Sequence, residues 1–184
     1  MVSQTWTLET LPHYTYEDFE QWEGQWEIIK GIPFAMTPAP TMKHQRLSFK
    51  IAAQLDRLLR HCNKNCKMYQ AIDWQLTNDT IIQPDVLVVC GDFIEKKRLE
   101  IPPVLVFEIL SPSTSQKDKV LKYGLYQDAG VQYYCIVTPE PVSIDVFHLN
   151  GDEYKKDDEP GDGKFFFKTG ECSLEFDVFE IFSE

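Results

Sequence analysis

"IIQPDVLVVC", residues 81–90, places one acid, Asp85, in a run of Ile, Val and Leu that is typical of a buried strand. A second run, "VLVFEILS" from Val104, carries Glu108 in the same way. Asp and Glu are rarely fully buried unless they are paired or bind a metal. An unpaired ionised carboxylate costs several kcal/mol in an apolar setting. Each acid therefore needs a compensating partner.

Side-chain alternation gives both acids an apolar face, because successive residues of a strand point in opposite directions. Those faces comprise Leu87 and Val89 beside Asp85, and Val104, Val106 and Leu110 beside Glu108. If the two strands are neighbours, both carboxylates converge at one end of the sheet, where a hard divalent cation would neutralise them. The spacing alone does not establish that the strands pair.

The remaining patterns predict an α/β fold with a central mixed sheet flanked by helices. Helices are expected over 15–22, 41–62 and 115–129, and strands over 26–36 (two), 67–76, 82–89, 104–110, 132–137 and 142–149. At 184 residues the chain is expected to form a single domain, 1–184. Within it, 1–25 is expected to be partly peripheral and 150–164, "NGDEYKKDDEPGDGK", to be an exposed acidic loop.

Composition restricts the function classes. No apolar run is long enough for a membrane span and the start does not resemble a signal peptide, so we expect a cytoplasmic protein without membrane association. The net charge of −11 counts against a general nucleic-acid binder. Five cysteines, an odd number, favour reduced thiols over a disulfide framework. "HCNKNC" from His61 is a weak zinc signal because no second pair of ligands lies nearby.

The residues around the two acids resemble a known family. "QPDVLVV", "PPVLVFEILSPSTSQKDKVLKYGLYQDAGVQYYCIVTP" and "WEIIKGIPFAMTPAPTMKHQRLSFKIAAQL" are similar to the restriction-endonuclease-like PD-(D/E)XK superfamily, and more closely to its Uma-two family, whose members are proposed to be endonucleases. The likeness spans residues 26–149. It implies a restriction-endonuclease-like fold.

The resemblance also implies site residues. Asp85 matches the Pro-Asp acid and Glu108 the acid of the D/E-X-K element, and both would bind Mg²⁺ or Mn²⁺. Apart from the resemblance, the carbonyl of Ile109 lies beside Glu108 in sequence and could complete the ion's shell. The Lys expected two residues after Glu108 falls at Leu110, so this chain departs from the superfamily pattern. In the Uma-two pattern a Lys on the following helix takes that place, here Lys122.

Two further polar positions match the family, Glu27 and His44. Each of the five candidates has a structural alternative: Asp85 as a solvated acid where the strand begins, Glu108 in a buried ion pair, Lys122 in an exposed i,i+4 pair, His44 as a solvated first-turn residue, and Glu27 as a strand-surface acid. Tyr126, on the same helical stripe as Lys122, is interpreted as a packing residue whose hydroxyl is anchored by a hydrogen bond.

These observations favour a metal-dependent endonuclease that hydrolyses phosphodiesters, with DNA as the substrate implied by the family. Two alternatives stay open: a nuclease-fold binding module with weak or no catalysis, and a metal-dependent hydrolase of small phosphoesters. A homodimer is expected if both strands of a duplex are cut, because that commonly needs two active sites.

Overall fold

The computed structural model describes residues 12–36, 39–62, 65–111, 117–169 and 172–183. It has a mixed α/β architecture, as the sequence predicted. The strands in chain order are β1 Trp26–Ile29, β2 Ile32–Ala35, β3 Cys66–Gln70, β4 Trp74–Thr77, β5 Thr80–Ile82, β6 Val86–Cys90, β7 Leu105–Ile109, β8 Tyr133–Pro139, β9 Val142–Asn150, β10 Glu153–Lys156, β11 Lys164–Thr169 and β12 Cys172–Asp177. The helices are α1 Tyr16–Phe19, α2 Met42–Leu59, α3 Tyr123–Asp128 and α4 Val178–Phe182, and a π-helical segment, Lys117–Lys122, leads into α3.

The central sheet has six strands in the order β10-β9-β8-β7-β6-β3. Its β7–β8 pair is parallel and its other pairs are antiparallel, which makes the sheet mixed. A four-stranded sheet, β2-β1-β5-β4, and the β11–β12 hairpin lie beside it. The link from β7 to the parallel β8 contains the π-helical segment and α3. A helix is the usual connection between parallel strands.

Two apolar clusters cover the two faces of β6 and β7. Val86, Val88 and Phe107 pack with α2 and the β11–β12 hairpin. Leu87 and Val106 pack on the other side with the four-stranded sheet and α3. These strands are apolar on both faces because both faces are covered. The second cluster contains most of the apolar layer that the alternation predicted beside Asp85 and Glu108, including Val89 and Leu110. Val104 was expected in the same layer, but it precedes β7 and packs against the first cluster instead.

Two of the expected strands are each divided between sheets. The expected strand 67–76 is split into β3 and β4, with Ala71 between them at a φ of 47°. The expected strand 82–89 ends at β5 and resumes as β6 after Gln83, Pro84 and Asp85. Proline has no N–H to donate to a ladder, so it favours a break there. The two-residue alternation of side chains along a strand is the same in either sheet, so it cannot reveal that the chain changes its partner strands.

The helices follow their capping signals. The Thr15 N–H donates to Asp18 at 2.8 Å, completing the start of α1. The Thr41 hydroxyl accepts from the His44 N–H at 3.2 Å and begins α2. Leu47, Ile51 and Leu55 form its buried stripe. Of the helix expected over 115–129, residues 117–128 are helical, and its expected start at Ser115 lies outside the described residues.

One expectation about the chain's periphery is wrong in part. The predicted acidic loop over 150–164 contains β10, which pairs with β9 and buries Tyr154, so hairpin pairing outweighs the local charge.

The cysteines are not all reduced: disulfides join Cys62 to Cys172 and Cys66 to Cys90, and Cys135 is free and buried. Cys66 and Cys90 face each other across β3 and β6, a proximity that an odd cysteine count cannot reveal. No helix in the described ranges is long and apolar enough to span a bilayer.

Candidate active site

Glu108 lies on β7, and Asp85 directly precedes the neighbouring antiparallel strand β6. Val86 of β6 pairs with Phe107 of β7, so the next position outward places Asp85 opposite Glu108. The backbone N–H of Ile109 donates to Oδ2 of Asp85 at 2.7 Å, which fixes that carboxylate at the end of the ladder. The pairing that the sequence left open therefore exists, and both acids belong to one end of β6–β7.

His44 joins this group from the first turn of α2. Its Nε2 lies 3.1 Å from the same Asp85 oxygen, and the two side chains are 13% and 24% exposed. Asp85 is thus partly accessible while held by a backbone donor and an imidazole. The alternative considered from sequence, that His44 is only a solvated first-turn residue, is therefore wrong.

Glu108 is the centre of a buried hydrogen-bonded cluster. Its Oε1 accepts from Nζ of Lys122 at 2.8 Å and from the Tyr126 hydroxyl at 2.5 Å. Lys122 and Tyr126 are four residues apart at the π-to-α transition, and i,i+4 spacing puts both on one helix face. Lys122 is only 3% exposed, so the exposed i,i+4 pair considered from sequence is wrong.

Glu27 is fully buried and is not the strand-surface acid considered from sequence. β1 carries it to the cluster, where its Oε1 lies 2.9 Å from Nζ of Lys122. The backbone N–H of Gln83 donates to the same oxygen at 2.9 Å. One ammonium therefore bridges two carboxylates from different sheets.

Tyr126 adds a hydroxyl that is kept protonated. Burial raises its pKa well above the ordinary value, and the neighbouring charge of Glu108 raises it further. Its ring stacks on Trp74 at a centroid distance of 5.9 Å. Tyr126 thus packs with its hydroxyl anchored, as predicted, and the partner of that hydroxyl is Glu108. Its i+4 spacing from Lys122 was the available signal for that contact.

The chain is similar in sequence and in fold to known proteins. The sequence model of the Uma2 family, described as "Putative restriction endonuclease", matches residues 16–165. The chain belongs to the Uma2 family. It is also 41% identical to an uncharacterized protein of Synechocystis sp., over 77% of each chain. The fold matches that of a solved "putative nuclease belonging to DUF820" from Anabaena variabilis with a TM-score of 0.72 and 18% identity, covering 92% of this chain and 97% of that one.

The Uma2 resemblance expected from sequence is confirmed, and the departure at Leu110 has a spatial counterpart. Leu110 is 8% exposed and packs in the apolar cluster, so its position gives no room for an ammonium. Lys122 reaches Glu108 from the next helix instead. The side chain of Ile109 also packs in the core, which leaves only its backbone to serve the site.

Side chains at this site could supply only some of the ligands that a hard cation needs. Among the described residues, no group of three or more His, Cys, Asp and Glu side chains is placed to hold a metal ion. Asp85 and Glu108 nevertheless provide carboxylate oxygens at one strand end, the ligand type that Mg²⁺ prefers, and Mg²⁺ usually keeps several waters. The residues present therefore fit an ion held by two carboxylates, with a backbone carbonyl and water as the remaining ligands.

Proposed function

We propose that this protein is a Mg²⁺- or Mn²⁺-dependent endonuclease that hydrolyses phosphodiester bonds, with DNA as its substrate. One observation carries the proposal: Asp85 stands opposite Glu108 at a shared strand end, with the Lys122 ammonium against Glu108. The Uma2 membership supports a nuclease. A cytoplasmic setting and a homodimer with one site per strand belong to the same proposal.

Charge balance supports the metal. Glu27 and Glu108, when ionised, both contact the Lys122 ammonium, and Asp85, beside His44, adds a third acid to this part of the fold. Buried charges are costly unless they are compensated. A divalent ion held by Asp85 and Glu108, with the Ile109 carbonyl, would supply that compensation. When bound, it polarises a phosphate oxygen and lowers the pKa of water.

The chain's own residues then have separate tasks. Lys122 orients the attacking water and offsets the negative charge that develops on the phosphate. Tyr126 and the Ile109 N–H fix the orientations of Glu108 and Asp85 respectively. Glu27 holds Lys122 in place. His44, which contacts Asp85 from a partly exposed position, is suited to meet a substrate phosphate.

The reaction is an ordinary hydrolysis. The water oxygen forms a bond to phosphorus as the bond from phosphorus to the leaving oxygen breaks. One proton of the water is lost to solvent and the leaving oxygen takes up another. The products are a phosphate monoester end and a hydroxyl end.

A binding module without catalysis is the second candidate, and one contact favours it. Glu108 is paired with a buried lysine, and this is how a purely structural ion pair would look. That candidate predicts no metal affinity, because Lys122 alone would then compensate Glu108.

Calorimetric titration with Mn²⁺ separates the two candidates. Wild type is compared with Glu108→Gln and with the matched control Glu153→Gln, an exposed acid of β10. The same samples are tested for cleavage of plasmid and single-stranded DNA. We expect wild type and the control to bind metal and cut DNA, and Glu108→Gln to do neither.

Other outcomes assign the site differently. Absence of metal binding by wild type, or equal binding by Glu108→Gln, would contradict the proposed centre and leave a structural ion pair. Metal binding at Glu108 without cleavage of any nucleic acid would redirect the search to small phosphoesters.

A further inference from the structure

A cavity of about 150 Å³ lies beside α1, on the side of the four-stranded sheet away from Glu27. Trp26 lines it and directly precedes Glu27 on β1, so the two side chains point to opposite faces. The cavity is about half the roughly 300 Å³ at the lower end of pockets for drug-sized ligands. It has room for one small ring system.

Four aromatic rings form part of its wall, beside polar and charged side chains. Tyr16, Phe19, Trp22 and Trp26 line the cavity. Trp22 stands nearly edge-on to Trp26 at 5.5 Å, and Phe19 lies 6.2 Å from Trp22. The Trp26 indole N–H donates to the Glu23 carbonyl at 2.8 Å, which holds that ring in place. Phe19, Trp22 and Trp26 are only half-buried, so ring surface is available to a planar ligand.

Cations lie beside these rings. The Arg98 guanidinium sits 4.0 Å from the Tyr16 ring centroid and donates to the Gln75 side chain at 2.6 Å. Its neighbour Lys97 is exposed and forms no ion pair within the described part of the chain. The Leu99 N–H donates to the Asp73 carbonyl at 2.8 Å, which ties this segment to the cavity wall.

Carboxylates complete the wall, and they favour a ligand that also carries N–H donors. Glu20 and Asp73 both line the cavity. A nucleobase offers a stacking face and exocyclic or ring N–H groups, and its phosphate can reach an exposed lysine. Aromatic platforms beside cations are the usual means of binding single-stranded nucleic acid.

The cavity and the candidate active site share one chain segment. The Gln83 side-chain amide donates to Asp73 of the cavity at 2.9 Å, and its backbone N–H donates to Glu27 of the site at 2.9 Å. Asp85 follows two residues later. The segment from Gln83 to Asp85 therefore borders both places.

We infer that this cavity binds one unstacked base of a single-stranded nucleic acid, with Lys97 against the adjoining phosphate. The assignment of that strand as substrate rests on the proposed endonuclease function. The binding itself does not, because the cavity contains neither Asp85 nor Glu108.

Binding of a labelled single-stranded DNA oligonucleotide, measured by fluorescence anisotropy with EDTA present, tests the inference. The variants are Trp22→Leu and Lys97→Glu, and the matched control is Phe49→Ala, which removes an aromatic ring that is 66% exposed on α2. We expect Trp22→Leu to bind about 5- to 150-fold more weakly. Lys97→Glu should bind more weakly with a shallower salt dependence, and Phe49→Ala should bind like wild type.

Circular dichroism establishes whether each variant is folded. If Trp22→Leu does not fold, Lys97→Glu still tests the inference. Wild-type affinity in both variants, or no binding by wild type, overturns the inference. Displacement of the oligonucleotide by a trimethyllysine peptide would instead make the cavity a cage for a quaternary ammonium. A parallel Mn²⁺ cleavage assay separates the two proposals: loss of binding in the variants without any wild-type cleavage supports the cavity and contradicts only the endonuclease.

Discussion

The Nζ atom of Lys122 lies 2.8 Å from Oε1 of Glu108 and 2.9 Å from Oε1 of Glu27, and all three side chains are buried. Lys122→Met would leave two carboxylates facing each other without a cation. Removing one partner of a buried ion pair costs about 3–5 kcal/mol. We expect a loss of that size in the free energy of unfolding, measured by urea denaturation, together with loss of cleavage.

The control for Lys122 lies on the same helical segment. Lys119 is exposed, so Lys119→Met should change the free energy of unfolding by less than about 0.5 kcal/mol. Equal stabilities for the two variants would contradict the buried bridge between Glu27 and Glu108.

The Tyr126 hydroxyl donates to Glu108 at 2.5 Å, whereas the hydroxyl of Tyr123 makes only a 3.5 Å contact with the Tyr154 carbonyl. Tyr126→Phe keeps the ring and removes the donor. A hydrogen bond to a charged group contributes about 1.5–3 kcal/mol. We expect Tyr126→Phe to lower the free energy of unfolding by that amount and to reduce kcat. Tyr123→Phe should have little effect, and the reverse order would exclude the proposed positioning of Glu108.

The same hydroxyl gives an alkaline pH dependence. Burial raises the pKa of Tyr126 in the folded protein, whereas in the unfolded chain it titrates near 10. Its contribution is therefore complete below about pH 10 and is lost above it, as the unfolded chain releases a proton that the folded chain keeps. Above about pH 10, the wild-type free energy of unfolding should fall more steeply than that of Tyr126→Phe, by at most about 1.4 kcal/mol per pH unit. Parallel slopes would contradict a buried, protonated Tyr126.

His44 contacts Asp85 at 3.1 Å, and the Ile109 N–H donates to the same carboxylate oxygen at 2.7 Å. Loss of a group that orients a metal ligand commonly costs 10- to 100-fold in affinity or activity. We expect His44→Ala to weaken Mn²⁺ binding by about that factor in calorimetry. The exposed His61 is the control, since His61→Ala should bind as wild type does. Unchanged affinity in His44→Ala would remove His44 from the site.

The disulfides can be counted chemically. Thiol titration of the denatured, unreduced protein should detect only Cys135, and five thiols should appear after reduction. Cys62 and Cys172 are 110 residues apart, so their bond closes a long loop. Replacing both with serine should lower the free energy of unfolding by about 2–5 kcal/mol. That difference should disappear when wild type is measured in reductant, and five thiols before reduction would contradict both bonds.

Local patterns in the sequence were sufficient for the fold class and for the orientation of the two acids. The alternation around Asp85 and Glu108 predicted an apolar layer on their side of the sheet, and Leu87, Val89, Val106 and Leu110 form it. This succeeded because side-chain direction along a strand is set by backbone geometry within two residues.

Only the tertiary structure decided what meets those acids. The position of Asp85 opposite Glu108, the Lys122 bridge to Glu27 and the disulfide partners all join residues far apart in sequence. The division of two predicted strands between sheets has the same origin. Such pairings depend on the free energy of packing the whole chain, and a period of two is identical whichever strand lies alongside. The sequence thus determined which way each acid points, and the fold determined its neighbours.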